Sequence, residues 1–192
     1  MSQRSEAGYT LIEIMLTLIV FAILAGAAVP QFMDLTGNMR LAQGVREVER
    51  ELQTARLKAV TSNRAIRVRF NCPTVGQYRM VELIGTPSDP DTDDDPDELG
   101  RCSISDYPYP PADVNRLTLP NHDGPLRTLH SSLSFGAADD LEFWPDGSAH
   151  QLDVAESTPW PVVSTTGTAV TLTKGTSVGV IEVNGLGKIQ VQ

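Results

Sequence analysis

Four groups of residues in this chain have types and spacings that could do chemistry. Glu13 is the only charge between Tyr9 and Val29, and Ile14 to Val29 runs sixteen residues without another. Cys72 and Cys102 are the only cysteines. Seven acids crowd Asp89 to Glu98, and Arg64, Arg67 and Arg69 alternate with apolar residues. Each group sets a different requirement on its surroundings.

An ionised carboxylate inside an apolar layer costs about 2.5 to 3.5 kcal/mol on insertion scales, so Glu13 either snorkels to an interface or meets a cation. The acids of Asp89 to Glu98 offer oxygen ligands to a hard cation, and Asp91, Asp93 and Asp95 fall at the first spacings of a calcium loop. The match then fails, because Pro96 stands where such a loop needs Gly and Cys102 where it needs a bidentate Glu. A solvated, self-repelling acidic loop is the expectation, with calcium at Asp91, Asp93 and Asp95 its rival. Cys72 and Cys102, in a domain exported to an oxidising compartment, would be bridged; two separately buried thiols are the alternative. His122, His130 and His150 are far apart, and no H-E-x-x-H, G-x-S-x-G or P-loop pattern occurs. Neither an enzyme nor a cofactor is expected. A net charge of −9 over 192 residues gives nucleic acid little general purchase, so a polyanion site would have to be local, on Arg64, Arg67 and Arg69.

The elements that must position these groups follow from hydrophobic spacing. Tyr9 to Val29 is twenty-one residues, which at ~1.5 Å per residue matches a hydrocarbon core of roughly 30 Å. A secretory signal peptide is the rival, with Arg4 before the run and Ala25-Gly26-Ala27 near its end, but it has no use for Glu13. Residues 30–63 read as an amphipathic continuation: Leu41, Val45, Val48, Leu52, Ala55 and Ala59 recur at helical spacing, with Arg40, Arg46, Glu47, Arg50, Glu51 and Lys58 largely off that stripe. Gly37 and Gly44 weaken helix propensity and are candidate bends, and the helix ends near Ser62-Asn63.

Residues 64–192 read as a β-rich domain. Candidate strands are Ala65 to Phe70, Gln77 to Ile84, Leu126 to Phe135, Leu141 to Trp144, Gln151 to Val154, Ala169 to Thr173, Ser177 to Val183 and Lys188 to Val191. Turn signals stand at Asn71-Cys72-Pro73, Pro145-Asp146-Gly147, Lys174-Gly175 and Asn184-Gly185. An acidic loop near 85–123 carries seven prolines. The expected fold class is α+β, one long N-terminal helix with a transmembrane half and an amphipathic half, packed on antiparallel β-sheet.

The residues Gly8-Tyr9-Thr10-Leu11-Ile12-Glu13 resemble the processing motif of type IV pilins and type II secretion pseudopilins. The resemblance implies a leader peptide over 1–8, cut after Gly8 by a prepilin peptidase, and an N-methylated Tyr9 at a position where Phe is commoner. It places Glu13 fifth in the mature chain and Pro30 twenty-second, where many pilins carry a helix-kinking proline. It also gives Glu13 a partner, the α-amino group of Tyr9 in a neighbouring subunit, and so a role in filament assembly. Ala55 to Val60, Leu141 to Gly147 and Ile181 to Ile189 are similar in layout to GspH/FimT-type minor pseudopilins. Major pilins commonly close a disulfide loop near the C-terminus, and no cysteine follows Cys102 here.

The resemblance therefore implies a pilin-like fold with residues 9–29 in the cell inner membrane and the β-rich domain in the periplasm. It implies a minor pseudopilin of a type II secretion pseudopilus, in an initiation or tip complex, with other pilins or pseudopilins as partners. The alternative is a FimT-like minor type IV pilin that binds DNA during uptake or aids pilus assembly. Nucleic acid is a partner only in that reading.

Overall fold

The computed structural model describes residues 9–86, 89–90, 99–110, 122–152 and 159–192; the side chains of 27, 29–31, 33–35, 85–86 and 89–90 lie outside the description. The chain forms two compact units, Met1–Met39 and Arg40–Gln192. One helix, α1 (Leu11–Ser62), contributes to both.

In the first unit the described apolar side chains of α1, Leu11 to Leu24 among them, are exposed. The expected span from Tyr9 to Val29 includes Ala27 and Val29, whose side chains are outside the described residues, as is that of Pro30. Among the described residues no helix is long and apolar enough to cross a membrane.

In the second unit the expected helical stripe is the core. Leu41, Val45, Val48, Leu52, Ala55 and Ala59 are all buried, as spacings of three and four residues require of one helix face. Asn63 ends α1 in the left-handed conformation, φ 53°, which Asn tolerates better than most residues. Gly44 does not interrupt the helix. A Cβ there would lie 2.5 Å from Leu133 Cδ1, so its role is close packing and not bending.

As expected the helix packs on antiparallel β-sheet, and among the described residues this comprises two larger sheets and a two-stranded ribbon. The first sheet joins β1 (Ile66–Phe70), β2 (Gln77–Glu82), β5 (Arg127–Thr128), β7 (Leu141–Phe143) and β8 (Ala149–Gln151) in the order β5-β2-β1-β7-β8. The second joins β6 (Ser134–Phe135), β9 (Thr168–Lys174), β10 (Ser177–Val183) and β11 (Ile189–Val191) in the order β11-β10-β9-β6. The ribbon is β3 (Gly85–Thr86) with β4 (Asp89–Pro90). Every pairing is antiparallel.

Both larger sheets turn apolar residues to the helix: Ile66, Val68, Tyr78, Met80, Leu141 and Phe143 from the first, Val170, Leu172, Ile181 and Val183 from the second. Phe135 closes the seam, tilted against Phe70 and edge-on to Tyr78 at ring centroids 5.0 and 5.6 Å away. The expected single strand Leu126 to Phe135 is in fact two. A turn in which Leu133 N–H donates to His130 O separates β5 from β6 and sends them to different sheets. β8 ends at Gln151, short of Val154, and residues 153–158 lie outside the description.

Candidate functional site: the helix start, the tied loop and the Arg56 junction

At the start of α1, Thr10 acts as the N-cap. Its Oγ1 and its carbonyl both accept from Glu13 N–H, at 3.3 and 3.1 Å. Thr10-x-x-Glu13 is thus a capping-box sequence, a signal that sequence reading left unused in favour of the surrounding motif. The cap satisfies a helix-end donor, and Glu13 at the third helical position faces the positive end of the helix dipole. The Glu13 side chain is exposed and meets no partner among the described residues of its own chain. Tyr9 is described and 81% exposed. Gly8 lies outside the described residues.

Cys72 and Cys102 form a disulfide, Cα to Cα 5.7 Å, and both are buried. The bridge ties the turn after β1 to a 3-10 turn, Leu99–Cys102. A second tie lies beside it. Arg79, fully buried on β2, donates to four main-chain carbonyls: Gly124 at 2.7 Å, Arg101 at 3.1 Å, Ser103 at 3.1 Å and Tyr107 at 2.7 Å. Arg101 donates in turn to Glu82 O at 2.8 Å and Asp123 Oδ1 at 3.0 Å. Burial pushes the Asp123 carboxyl above the usual range, opposed by the Arg101 guanidinium. Nothing in the sequence pointed to Arg79 or Arg101, because their acceptors are carbonyls and a carboxylate 19 to 45 residues away.

The calcium candidates Asp91, Asp93 and Asp95 lie outside the described residues, and among the described residues no group of three His, Cys, Asp or Glu could hold a metal ion. The histidines stay apart. His122 lies on Glu82 at 3.2 Å, His130 on Ser132 at 2.9 Å, and His150 stacks on Trp144 with centroids 3.8 Å apart.

The expected basic stripe is not presented. Arg67 and Arg69 are buried; Arg67 pairs with Glu142 and stacks on the Trp160 ring at 3.8 Å, and Arg69 pairs with Asp140 at 3.3 Å. Arg64 leans on Glu82 at 3.6 Å. Both arginines of the strand Ile66–Phe70 thus lie against a carboxylate, and the half-exposed Arg64 before it leans on a third, so this charge is offset within the fold.

The three loose sequence motifs meet at one side chain. Arg56 of α1 donates from Nε to Gly147 O at 3.0 Å and from Nη2 to Leu186 O at 3.1 Å. It thereby joins the helix to the turn after β7 and the turn before β11. Asn184 Oδ1 accepts from Leu186 and Lys188 N–H at 3.1 and 3.0 Å, shaping the second turn, and Ala149 N–H donates to Gly185 O at 3.1 Å, joining the two. Gly147 and Gly187 are left-handed at φ 84° and 69°. A Cβ on Gly187 would collide with Gly147 O and sit 2.5 Å from Arg56 Nε, so both backbone conformation and space demand glycine there.

Residues 3–29 match the prokaryotic N-terminal methylation motif. A fimbrial protein of Pseudomonas aeruginosa is 35% identical over 75 residues, 39% of this chain and 47% of that protein. The match thus spans about half the length of the curated relative. Among solved structures, the type IV minor pilin FimU of Pseudomonas aeruginosa is similar over 82% of this chain and 92% of its own, at 14% identity and a TM-score of 0.47. The minor pseudopilin EpsH from the Type 2 Secretion System of Vibrio cholerae is similar over 80% and 96%, at 12% identity and 0.42. The methylation motif at the start of the helix and the fimbrial-protein likeness are the features by which this α+β chain is similar to type IV pilins.

Proposed function

We propose that the chain is a minor pseudopilin, a structural subunit that helps initiate or cap a type II secretion pseudopilus. The observation that carries this reading is Glu13 within the methylation motif, in register with Gly8 and Tyr9. Prepilin peptidase cuts after Gly8 and methylates Tyr9. Residues 9–29 hold the subunit in the inner membrane with the β-rich domain in the periplasm, until the subunit passes into the filament. There Glu13 pairs with the α-amino group of a neighbour's Tyr9, each charge being costly in the apolar layer without the other. The exposed apolar face of α1 in the first unit supports such packing. The position of the disulfide supports a minor role, because it closes a loop in the first half of the domain and not near the C-terminus.

A minor type IV pilin is the second reading, favoured by the fimbrial-protein likeness. Its DNA-binding form gains nothing from Arg67 and Arg69, which are buried and paired.

Glu13→Ala tests the assembly role. The variant is expected to insert in the membrane and lose its place in filaments; normal incorporation sinks the proposal. A deletion strain scored for protein release and for surface pili separates the two machines.

A further inference from the structure

β11 stands at one end of the second sheet, with β10 on one side and, among the described residues, no strand on the other. Asn184 N–H donates to Lys188 O at 3.1 Å and Gln192 N–H to Val180 O at 3.0 Å. Antiparallel pairs alternate between bonded and non-bonded, so Ile189 and Val191, opposite Val183 and Ile181, turn their N–H and C=O groups away from β10. Among the described residues those groups meet no partner. β8, at one end of the first sheet, is treated differently. There Gln151 N–H donates to Pro161 O at 3.1 Å and Val163 N–H to Ala149 O at 2.9 Å, so the chain covers that edge itself.

The free edge of β11 borders a groove of about 560 Å³ whose facing wall is α1. Ile189 lines it from the sheet, and Gln53, Leu57 and Val60 line it from the helix. Leu57 is 64% exposed and Val60 48%. Val183 and Ile181 are buried in the core against the helix, so Ile189 and Val191 opposite them carry their side chains on the same, helix-facing side of the sheet. A strand added beyond β11 would set alternate side chains on that side too, over the groove and onto Leu57 and Val60.

The edge also selects what can fill it. Its donors and acceptors repeat at every second residue, about 7 Å along the strand. An extended main chain supplies the matching series. A helix does not, because its own N–H and C=O groups are bonded internally, and a nucleic-acid backbone offers phosphate oxygens without donors.

We propose that the β11 edge takes up an extended segment of a partner protein as a fifth strand of the second sheet, bonded to the main chain of Ile189 and Val191, with alternate apolar side chains lying on Leu57 and Val60. This docking rests on the edge and the groove and is independent of the pseudopilus reading.

The test uses the full chain in non-ionic detergent, with a labelled octapeptide alternating threonine and valine as the probe. The octapeptide is expected to bind by anisotropy and to slow amide exchange at Ile189 and Val191, which is fast in the chain alone. The same peptide N-methylated at its valines is expected not to bind, since those amides face the edge. Val191→Pro removes an N–H that points away from β10 and is expected to weaken binding about tenfold or more. Leu57→Asp carries the same expectation without touching the sheet. Gln190→Ala, whose side chain is on the far face, should leave binding within about twofold. Failure of the octapeptide to bind, or equal binding of its N-methylated form, overturns the proposal. So does unchanged binding in Leu57→Asp, or in a Val191→Pro chain that melts as wild type. Slow exchange at Ile189 and Val191 in the chain alone means that the chain fills its own edge, and slowing with protein concentration means that a second copy does; either result overturns it.

Discussion

Arg56 and Gly147 are 91 residues apart in sequence and 3.0 Å apart in space, guanidinium Nε to carbonyl oxygen. With its second bond, to Leu186 O, Arg56 fixes two β-turns to the helix. Charged hydrogen bonds of this kind are worth about 1.5–3 kcal/mol each, less where water reaches them. Arg56→Ala is therefore expected to lower stability by about 2–3 kcal/mol, read as a shift in urea midpoint. Gly187→Ala is expected to cost more, because it adds backbone strain at φ 69° to the collision with Gly147 O. An Arg56→Ala protein as stable as wild type would remove the junction from the account.

The disulfide closes a loop with a sequence separation of 30. Chain-entropy reasoning gives about 3–4 kcal/mol for a loop of that length. Cys72→Ser/Cys102→Ser should lower the melting temperature accordingly, and reductant should do the same to the wild type and nothing to the variant. If reductant leaves wild-type melting untouched, the bridge does not support the fold.

Arg101 and Asp123 are both buried, 3.0 Å apart. Removing one member of such a pair costs more than replacing both with apolar groups. Asp123→Ala is expected to destabilise by about 3 kcal/mol, and Arg101→Met/Asp123→Leu by less than the two single changes summed. Strict additivity in urea unfolding would show that the pair is not coupled.

Burial raises the Glu51 carboxyl above its ordinary 4.5, with Arg127 pulling the other way. In the window from about 4.5 up to the raised value, the folded chain holds a proton that the unfolded chain has released. Stability therefore falls as pH rises through that window, and the penalty is fully present above it. Glu51→Gln has no such term, so its stability relative to wild type should increase with pH from the low to the high side of the window. A difference that does not vary with pH contradicts this.

Much of the fold was legible because its signals are local. The helical stripe from Leu41 to Ala59 is written at one period, and β10 is bracketed by Lys174-Gly175 and Asn184-Gly185, so its bounds came out as Ser177–Val183. The misreadings share one cause. Alternation at Arg67 and Arg69 promised an exposed basic face, but the carboxylates that neutralise them, Glu142 and Asp140, lie more than seventy residues on. Leu126, Leu129, Leu133 and Phe135 look like one strand, yet the His130 turn and two separate sheet partners divide them. The Arg56 junction was half visible: its three motifs could be listed, but not that they meet.

Arg79 grips the segment between Arg101 and Gly124 by carbonyl oxygens alone, at four residues, and consults no side chain there. Every residue type supplies that oxygen. At Ser103 and Tyr107 these bonds are consequently blind to sequence, while Arg101, Cys102 and Asp123 add side-chain ties that are not. A main-chain grip of this kind would hold alanine in place of either residue as firmly as it holds serine or tyrosine.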